Sequence, residues 1–290
     1  MSDLTPLDVL YEAESGDELE LPSELARLYG RLRFPRAGRH VFGNFVTTLD
    51  GVVALGVPGH ESGGAISGYS KHDRMVMGLL RAVADVVVTG AGTLRSVPDH
   101  LWTAEHIFPA LADDFGQLRA GLGKSERPLN VIVSASGELP PESRVLRSGE
   151  VPVLIVTTSR GARRIDKTAM HRSVGLATVA GDGPLSVAAV LDAAASARPG
   201  RLILAEAGPR LMANFFAERL LDELFLTLAP QVAGRDGSTE RPGLVSGKSF
   251  APDDPRWGAL VGVRRGGSHL FLRYSFAQDR PGHAGAAQPS

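Results

Sequence analysis

Short runs of β-branched residues alternate along this chain with stretches in which apolar side chains recur every three to four positions. That alternation restricts the fold more than any other feature of the sequence. Residues 40–48 (HVFGNFVTT) read as a strand, and Val76, Leu79, Leu80 and Val83 then fall at i, i+3, i+4 and i+7, the stripe of a core-facing helix. Residues 84–89 (ADVVVT) form a continuous apolar run ending in glycines, the pattern of a strand buried on both faces. Phe108, Leu111, Phe115, Leu118 and Leu122 predict another helix. Buried strands follow at 130–134, 153–158 and 202–205, with Val187, Val190, Leu191 and Ala194 marking a helix before the last. One more strand is expected at 224–228. A hairpin is expected from 258–264 and 269–276, turning through Gly266 and Gly267.

Strands separated by helices predict an α/β three-layer sandwich with a mostly parallel central sheet, and the last hairpin predicts an antiparallel edge. In such sheets ligands bind beyond the carboxyl ends of the strands. That rule singles out residues 47–51, 89–93, 134–137 and 206–209. The alternating body spans 39–277. Before it, residues 1–38 read as a polar extension with an acidic cluster (Glu12, Glu14, Asp17, Glu18, Glu20), in which the amphipathic stretch 21–32 is expected to be helical and to dock on the body. Residues 278–290 are small and polar and read as a disordered tail.

Charge and composition exclude several function classes. With 31 basic against 32 acidic residues, the chain has no global field to draw in nucleic acid or an anionic membrane. The absence of cysteine removes disulfides, thiolate-bound zinc and cysteine nucleophiles, and the histidines lack metal-ligand spacing, so no metal is expected. No apolar run approaches the roughly 20 residues of a membrane helix. The N-terminus lacks the basic and apolar regions of a signal peptide, so a soluble, cytoplasmic protein is expected.

Four segments carry candidate chemistry. Residues 86–93 (VVVTGAGT) are a strand running into a small-residue turn, where Gly90 and Gly92 let the backbone approach a phosphate or ribose. A plain tight turn reads equally well there, and the pattern is not a Rossmann fingerprint, because Arg95 takes the third glycine position. Gly208 and Pro209 follow strand 202–205 and open a helix, an anion site by position, with Glu206 at its mouth. Glu206 reads either as a helix-capping or Arg-paired carboxylate, or as a substrate-orienting or proton-handling group. Asp50-Gly51 is first of all a turn dipeptide. Residues 59–68 (GHESGGAISG) suit a mobile loop or a ligand lid. The phosphate-loop likeness at Gly243–Ser249 fails, since Pro242 stands where the first glycine belongs and the spacing is one short. No G-x-S-x-G elbow occurs, which counts against an α/β-hydrolase.

Taken in order, Thr47-Thr48-Leu49-Asp50-Gly51, Leu79-Leu80-Arg81-Ala82, Gly90-Ala91-Gly92-Thr93-Leu94-Arg95, Ala205-Glu206-Ala207-Gly208-Pro209 and Leu221-Asp222-Glu223-Leu224 with Ala229-Pro230 and Gly234 resemble the reductase domain of bacterial riboflavin biosynthesis, whose fold is dihydrofolate-reductase-like. The resemblance covers roughly residues 40–277. It implies an NADPH-dependent reduction of the ribosyl group of 5-amino-6-(5-phosphoribosylamino)uracil to ribityl, in a homodimer. By that resemblance Thr93 and the turn Thr89, Gly90, Ala91, Gly92 would line the nicotinamide nucleotide, touched by Val46 or Thr47 from the first strand. Ser134 would lie at its ribose or phosphate end, with the amides around Gly208, Pro209, Arg210 and Leu211 at the pyrophosphate. Ser62, Arg81 and Glu206 match substrate-contacting positions; Arg81 offers a guanidinium fork for a phosphate, and Glu206 and Asp50 are the catalytic candidates.

The chain departs from the family at Val97, where an acidic residue is usual, and at residues 98–103, which lack the arginine of a substrate-binding Leu-Thr-x-Arg segment. A helical insert follows, to about Arg127. A zinc deaminase half is impossible without cysteine, so another protein would have to supply that step. Two alternatives stay open: a reductase of the same fold acting on a pterin, dihydrofolate or other heterocycle, and a catalytically silent NADPH-binding protein.

Overall fold

The computed structural model describes residues 4–57, 63–181 and 183–276. Ser62, the first part of the glycine-rich segment 59–68 and the tail at 278–290 lie outside the described residues. The chain begins with β1 (Asp8–Glu12), β2 (Asp17–Glu18), α1 (Ser23–Tyr29) and β3 (Arg33–Phe34), of which β2 and β3 pair as a small separate ribbon. β4 (His40–Thr47) opens the alternating body. α2 (Gly63–Ser67) and α3 (Lys71–Val83) lead to β5 (Val86–Gly90). α4 (Ala91–Ser96), α5 (Ala104–Ile107) and α6 (Ala112–Gly121) lead to β6 (Leu129–Ser134), and α7 (Arg144–Arg147) to β7 (Val153–Thr158). α8 (Ser159–Ala162) precedes β8 (Gly175–Val179), α9 (Val187–Ala197) precedes β9 (Leu202–Ala205), and α10 (Pro209–Ala217) precedes β10 (Glu223–Leu228). β11 (Ala259–Gly266) and β12 (His269–Ser275) close the chain as a hairpin.

The main sheet runs β1-β11-β12-β10-β4-β9-β5-β6-β7-β8. From β10 to β8 every pairing is parallel, and β12, β11 and β1 join antiparallel. This is the expected α/β sandwich. One apolar layer packs α1, α3, α6 and α7 through Leu25, Leu28, Met75, Leu79, Phe115 and Leu146 onto Phe42, Val87, Ile132 and Ile155 of the sheet. The other packs α9 and α10 through Val190, Leu191, Met212 and Phe215 onto Val41, Val88, Val131 and Val156. Strands covered on both faces read as unbroken apolar runs, which is why β5, β6 and β7 stand out in the sequence. Among the described residues no helix is long and apolar enough to cross a membrane.

The structure differs from expectation in three places. The helix drawn through Phe108 to Leu122 is broken: α5 stops at Ile107, a 3₁₀ turn covers Pro109–Leu111, and only then does α6 begin. Pro109 has no amide for a helical hydrogen bond, so the chain restarts there. β8 escaped detection because its residues are only partly buried and carry no alternation. Finally, the N-terminal segment is part of the body. β1 adds an edge to the sheet, and Leu25, Leu28 and Tyr29 of α1 are buried. Arg264 of β11, 2% exposed, fastens the segment by donating to the carbonyls of Tyr29 and Arg31 and to Glu12, with its guanidinium 4.2 Å from the Tyr29 ring centroid. The helix within 21–32 docks as expected, whereas β1 leaves no buried-strand pattern because its residues are almost all exposed.

Candidate active site

β9 is short. It ends at Ala205, level with Gly43 of β4 and Val88 of β5, while β4 runs on to Thr47 and β5 to Gly90. The two longer strands therefore wall a notch above the end of β9, at the point where the strand order reverses. The Glu206 amide donates to Val88 O at 3.0 Å and the Thr89 hydroxyl donates to Glu206 O at 3.1 Å, so β9 is tied to β5 as it leaves the sheet.

The floor of the notch is an ion pair. Arg81 Nε lies 3.1 Å from both Glu206 carboxylate oxygens, and Nη2 lies 2.6 Å from Oε2. Nη1 donates to the Leu101 and Thr103 carbonyls at 3.4 and 3.2 Å. Both side chains are buried, Arg81 at 2% and Glu206 at 9% exposure. Arg81 is thus committed to Glu206 and to the 101–103 backbone, and is not the free phosphate fork that its residue type suggested. Of the two readings open for Glu206, it takes the arginine pairing, and it does so inside the notch.

Two small-residue turns face each other across this space. A Cβ built on Gly208 would lie 3.8 Å from Thr93 Oγ1, and one on Gly90 would lie 4.0 Å from a Leu211 methyl. Pro209 opens α10 with no amide to lose. The Leu211 and Met212 amides turn back to Gly208 O, and the Gly208 and Arg210 amides have no hydrogen-bond acceptor among the described residues. Val46, Thr47 and Ser134 are buried at the ends of β4 and β6. The turn after Ser134 crosses α8 backbone to backbone, for a Cβ on Gly137 would collide with Gly161 O.

Asp50 sits to one side. Thr48 Oγ1 and the Ala233 amide donate to its Oδ1 at 2.6 and 3.0 Å, and the Gly234 amide donates to Oδ2 at 2.7 Å. The Thr48 hydroxyl foremost, then these amides, hold its carboxyl well below the usual aspartate range. Asp50 therefore acts as a clamp, ionised at neutral pH, between the β4 turn and the loop after β10.

The structure also brings in residues that motif reading passed over. Asp73, in the first turn of α3, is 4% exposed, with the hydroxyls of Thr227 on β10 and Ser67 on α2 nearby; the Ser67 hydroxyl itself donates to Gly64 O at 3.3 Å. Burial pushes its carboxyl above the ordinary aspartate value, outweighing those hydroxyls and the nearby His269; Glu206 adds to the rise. A signal existed: Asp73 lies three residues before Val76, on the apolar stripe of α3, where a carboxylate does not belong. Beside Arg81, His100 packs edge-on against Trp102 and His106, with ring centroids 5.0 and 4.6 Å apart. Burial and then the Arg81 charge keep its imidazole neutral, lowering its pKa to about 2.

With this geometry in hand, similarity to known proteins is informative. The model of the RibD C-terminal domain family matches residues 39–257. The fold is similar to a pyrimidine reductase-like protein of Corynebacterium diphtheriae, at TM-score 0.63 and 19% identity over 82% of this chain and 91% of that one. It is also similar to RibD of Acinetobacter baumannii, at TM-score 0.59 and 20% identity, over 82% of this chain but 58% of that one. A Thermotoga maritima diaminohydroxyphosphoribosylaminopyrimidine deaminase/5-amino-6-(5-phosphoribosylamino)uracil reductase gives TM-score 0.57 and 18% identity, over 82% and 56%. No curated protein matches the sequence.

Proposed function

The chain belongs to the RibD C-terminal domain family, and from that premise we propose that it is an NADPH-dependent reductase that converts the ribosyl group of 5-amino-6-(5-phosphoribosylamino)uracil to ribityl. The observation that carries the reading is the notch itself, where a buried carboxylate, Glu206, is held by Arg81 beneath two facing glycine turns.

The residues present suit a nicotinamide dinucleotide. Gly90 and Gly208 keep the passage clear of side chains, and the unpaired Gly208 and Arg210 amides at the start of α10 are donors for a pyrophosphate. Thr89, Gly90, Ala91, Gly92 and Thr93 would hold the nicotinamide nucleoside with Val46 and Thr47, and Ser134 would meet the ribose or phosphate beyond. The bound dinucleotide supplies the hydride. What the chain supplies is alignment. Glu206, with both oxygens fixed by Arg81, accepts hydrogen bonds from ribose hydroxyls or from the amine and holds C1′ in one position. Such positioning is worth up to about 7–11 kcal/mol of barrier. The stacked layers and the buried Leu101, Trp102 and Thr103 keep water away from one side of the notch.

We further propose that the protein works as a homodimer. Tyr11, Val263, Leu272 and Leu226 are register neighbours across β1, β11, β12 and β10, and none is buried. A sheet face of this kind needs a cover, and a second copy offers the same apolar row.

One observation favours a related reading. Because Arg81 is consumed by Glu206, it is not left for a phosphate, and a substrate of the same heterocyclic class without one would fit as well. NADPH oxidation with the phosphoribosyl substrate, compared with pterin and dihydrofolate, tests both.

A further inference from the structure

Nicotinamide dinucleotides come in two forms that differ by a phosphate on the 2′ oxygen of the adenosine ribose. A site that takes the plain form offers a carboxylate to the 2′ hydroxyl, and a site that takes the phosphorylated form offers an arginine instead. The strand-end face of this protein carries both kinds of group, and what each is already bonded to separates them.

The sheet order puts β6 beside β5, on the side away from β4 and the notch. A dinucleotide with its nicotinamide in the notch and its pyrophosphate at the start of α10 therefore extends its adenosine toward the turn after β6. That turn is fixed in place. The Thr157 and Thr158 hydroxyls of β7 donate to the Ser134 and Ala135 carbonyls at 2.6 and 2.8 Å, and the Glu138 amide donates to Ser136 Oγ at 3.2 Å. The carboxylate of the turn, Glu138, is already engaged by Arg164, just past α8, at 3.2 Å. Arg95, in the last turn of α4, is the opposite case. It is exposed, it has no carboxylate partner among the described residues, and its one hydrogen bond runs from Nη1 to Glu138 O at 3.4 Å. Nε and Nη2 have no acceptor among the described residues. Nη2 lies 3.8 Å from the Cβ position of Gly92, where glycine leaves the space clear. The guanidinium thus bridges the β5 turn and the β6 turn with one edge open.

On the reductase reading above, we infer that Arg95 makes the site select the 2′-phosphorylated dinucleotide, donating from Nε and Nη2 to that phosphate. The Gly208 and Arg210 amides serve the pyrophosphate, which both forms share, and so do not discriminate. An arginine edge suits a phosphate because two parallel N–H groups meet two oxygens. Resting the guanidinium on a carbonyl of a fixed turn lowers the ordering cost of binding. Arg164 meanwhile offsets the Glu138 charge, which would otherwise oppose the phosphate.

The test is calorimetric binding, which needs no substrate. Wild type, Arg95→Gln, Arg95→Lys and Arg210→Gln are each titrated with NADPH, NADH, adenosine 2′,5′-bisphosphate and AMP, with circular dichroism to show that each is folded. Wild type should prefer the 2′-phosphorylated member of each pair by about tenfold or more, as for a hydrogen bond to a charged group. That preference should shrink as ionic strength rises, because the guanidinium is exposed. Arg95→Gln should bring both ratios to within about threefold of one, by weakening only the phosphorylated ligands. Arg95→Lys should keep part of the preference, since it retains the charge without the fork. Arg210→Gln, beside the pyrophosphate donors, should leave the ratios at their wild-type values. A preference that survives in Arg95→Gln, or that is lost in Arg210→Gln instead, overturns the assignment, as do equal wild-type affinities for NADPH and NADH. Each of those outcomes leaves a reductase in place. Wild type that binds neither dinucleotide overturns the reductase reading itself.

Discussion

Arg81 and Glu206, 125 positions apart in sequence, meet in a buried ion pair with a shortest contact of 2.6 Å, joining the far end of α3 to the strand end above it. The pair is enclosed, so each partner depends on the other. Removing Arg81 would strand a carboxylate in the interior, which costs about 3–5 kcal/mol in comparable sites. Arg81→Met should therefore lower the unfolding free energy by an amount of that order in denaturant titrations. Glu206→Gln is isosteric and neutral. It should reduce turnover sharply while NADPH affinity stays within a few-fold, and unchanged turnover would remove Glu206 from the reaction.

Asp50 should tie acid stability to the β4 turn. Its folded pKa lies below the unfolded value, so its contribution is complete above the usual aspartate range and is lost as pH falls through the folded value. Asp50→Asn should flatten the dependence of melting temperature on pH below about 4. A melting curve with the wild-type slope in that window would show that the clamp carries no stability.

Two glycines offer opposite outcomes under the same substitution. A Cβ on Gly161 would meet Ala135 O at 2.7 Å and the Gly137 amide at 3.0 Å, where the turn after β6 crosses α8. Gly161→Ala should destabilise by about 1–3 kcal/mol through overpacking. Gly116, inside α6, has nothing within 4 Å of its Cβ position. Gly116→Ala should stabilise by about 0.4–1 kcal/mol, since alanine restricts the unfolded chain and suits a helix. Calorimetry of both variants checks the sign of each.

The half-exposed row of Tyr11, Val263, Leu272 and Leu226 predicts a dimer that one charge should split. Leu272→Glu should sediment as a monomer while retaining the wild-type circular dichroism, and a wild type that already sediments as a monomer would contradict the pairing.

Much of this fold was legible because buried parallel strands advertise themselves. β5, β6, β7 and β9 are continuous apolar runs, and α3 and α9 carry clean stripes. The notch was legible as a place, since Gly90, Thr93, Glu206 and Gly208 all follow strand ends. What could not be read was how groups distant in sequence combine. That Arg81 is spent on Glu206 depends on the short reach of β9, and that Asp50 is a clamp depends on amides at 233 and 234. β1 and β8 were invisible because edge strands bury little and so keep no pattern. Asp73 stands out as a misfit on the α3 stripe, and its amide donates to Ser70 Oγ, which caps the helix.

The most direct measurement is NADPH oxidation, followed by absorbance, with purified protein and 5-amino-6-(5-phosphoribosylamino)uracil, with the product identified by mass. Steady turnover and a product two hydrogens heavier, the ribitylamino compound, are expected. NADPH binding without any NADPH oxidation in the presence of this substrate would contradict this expectation.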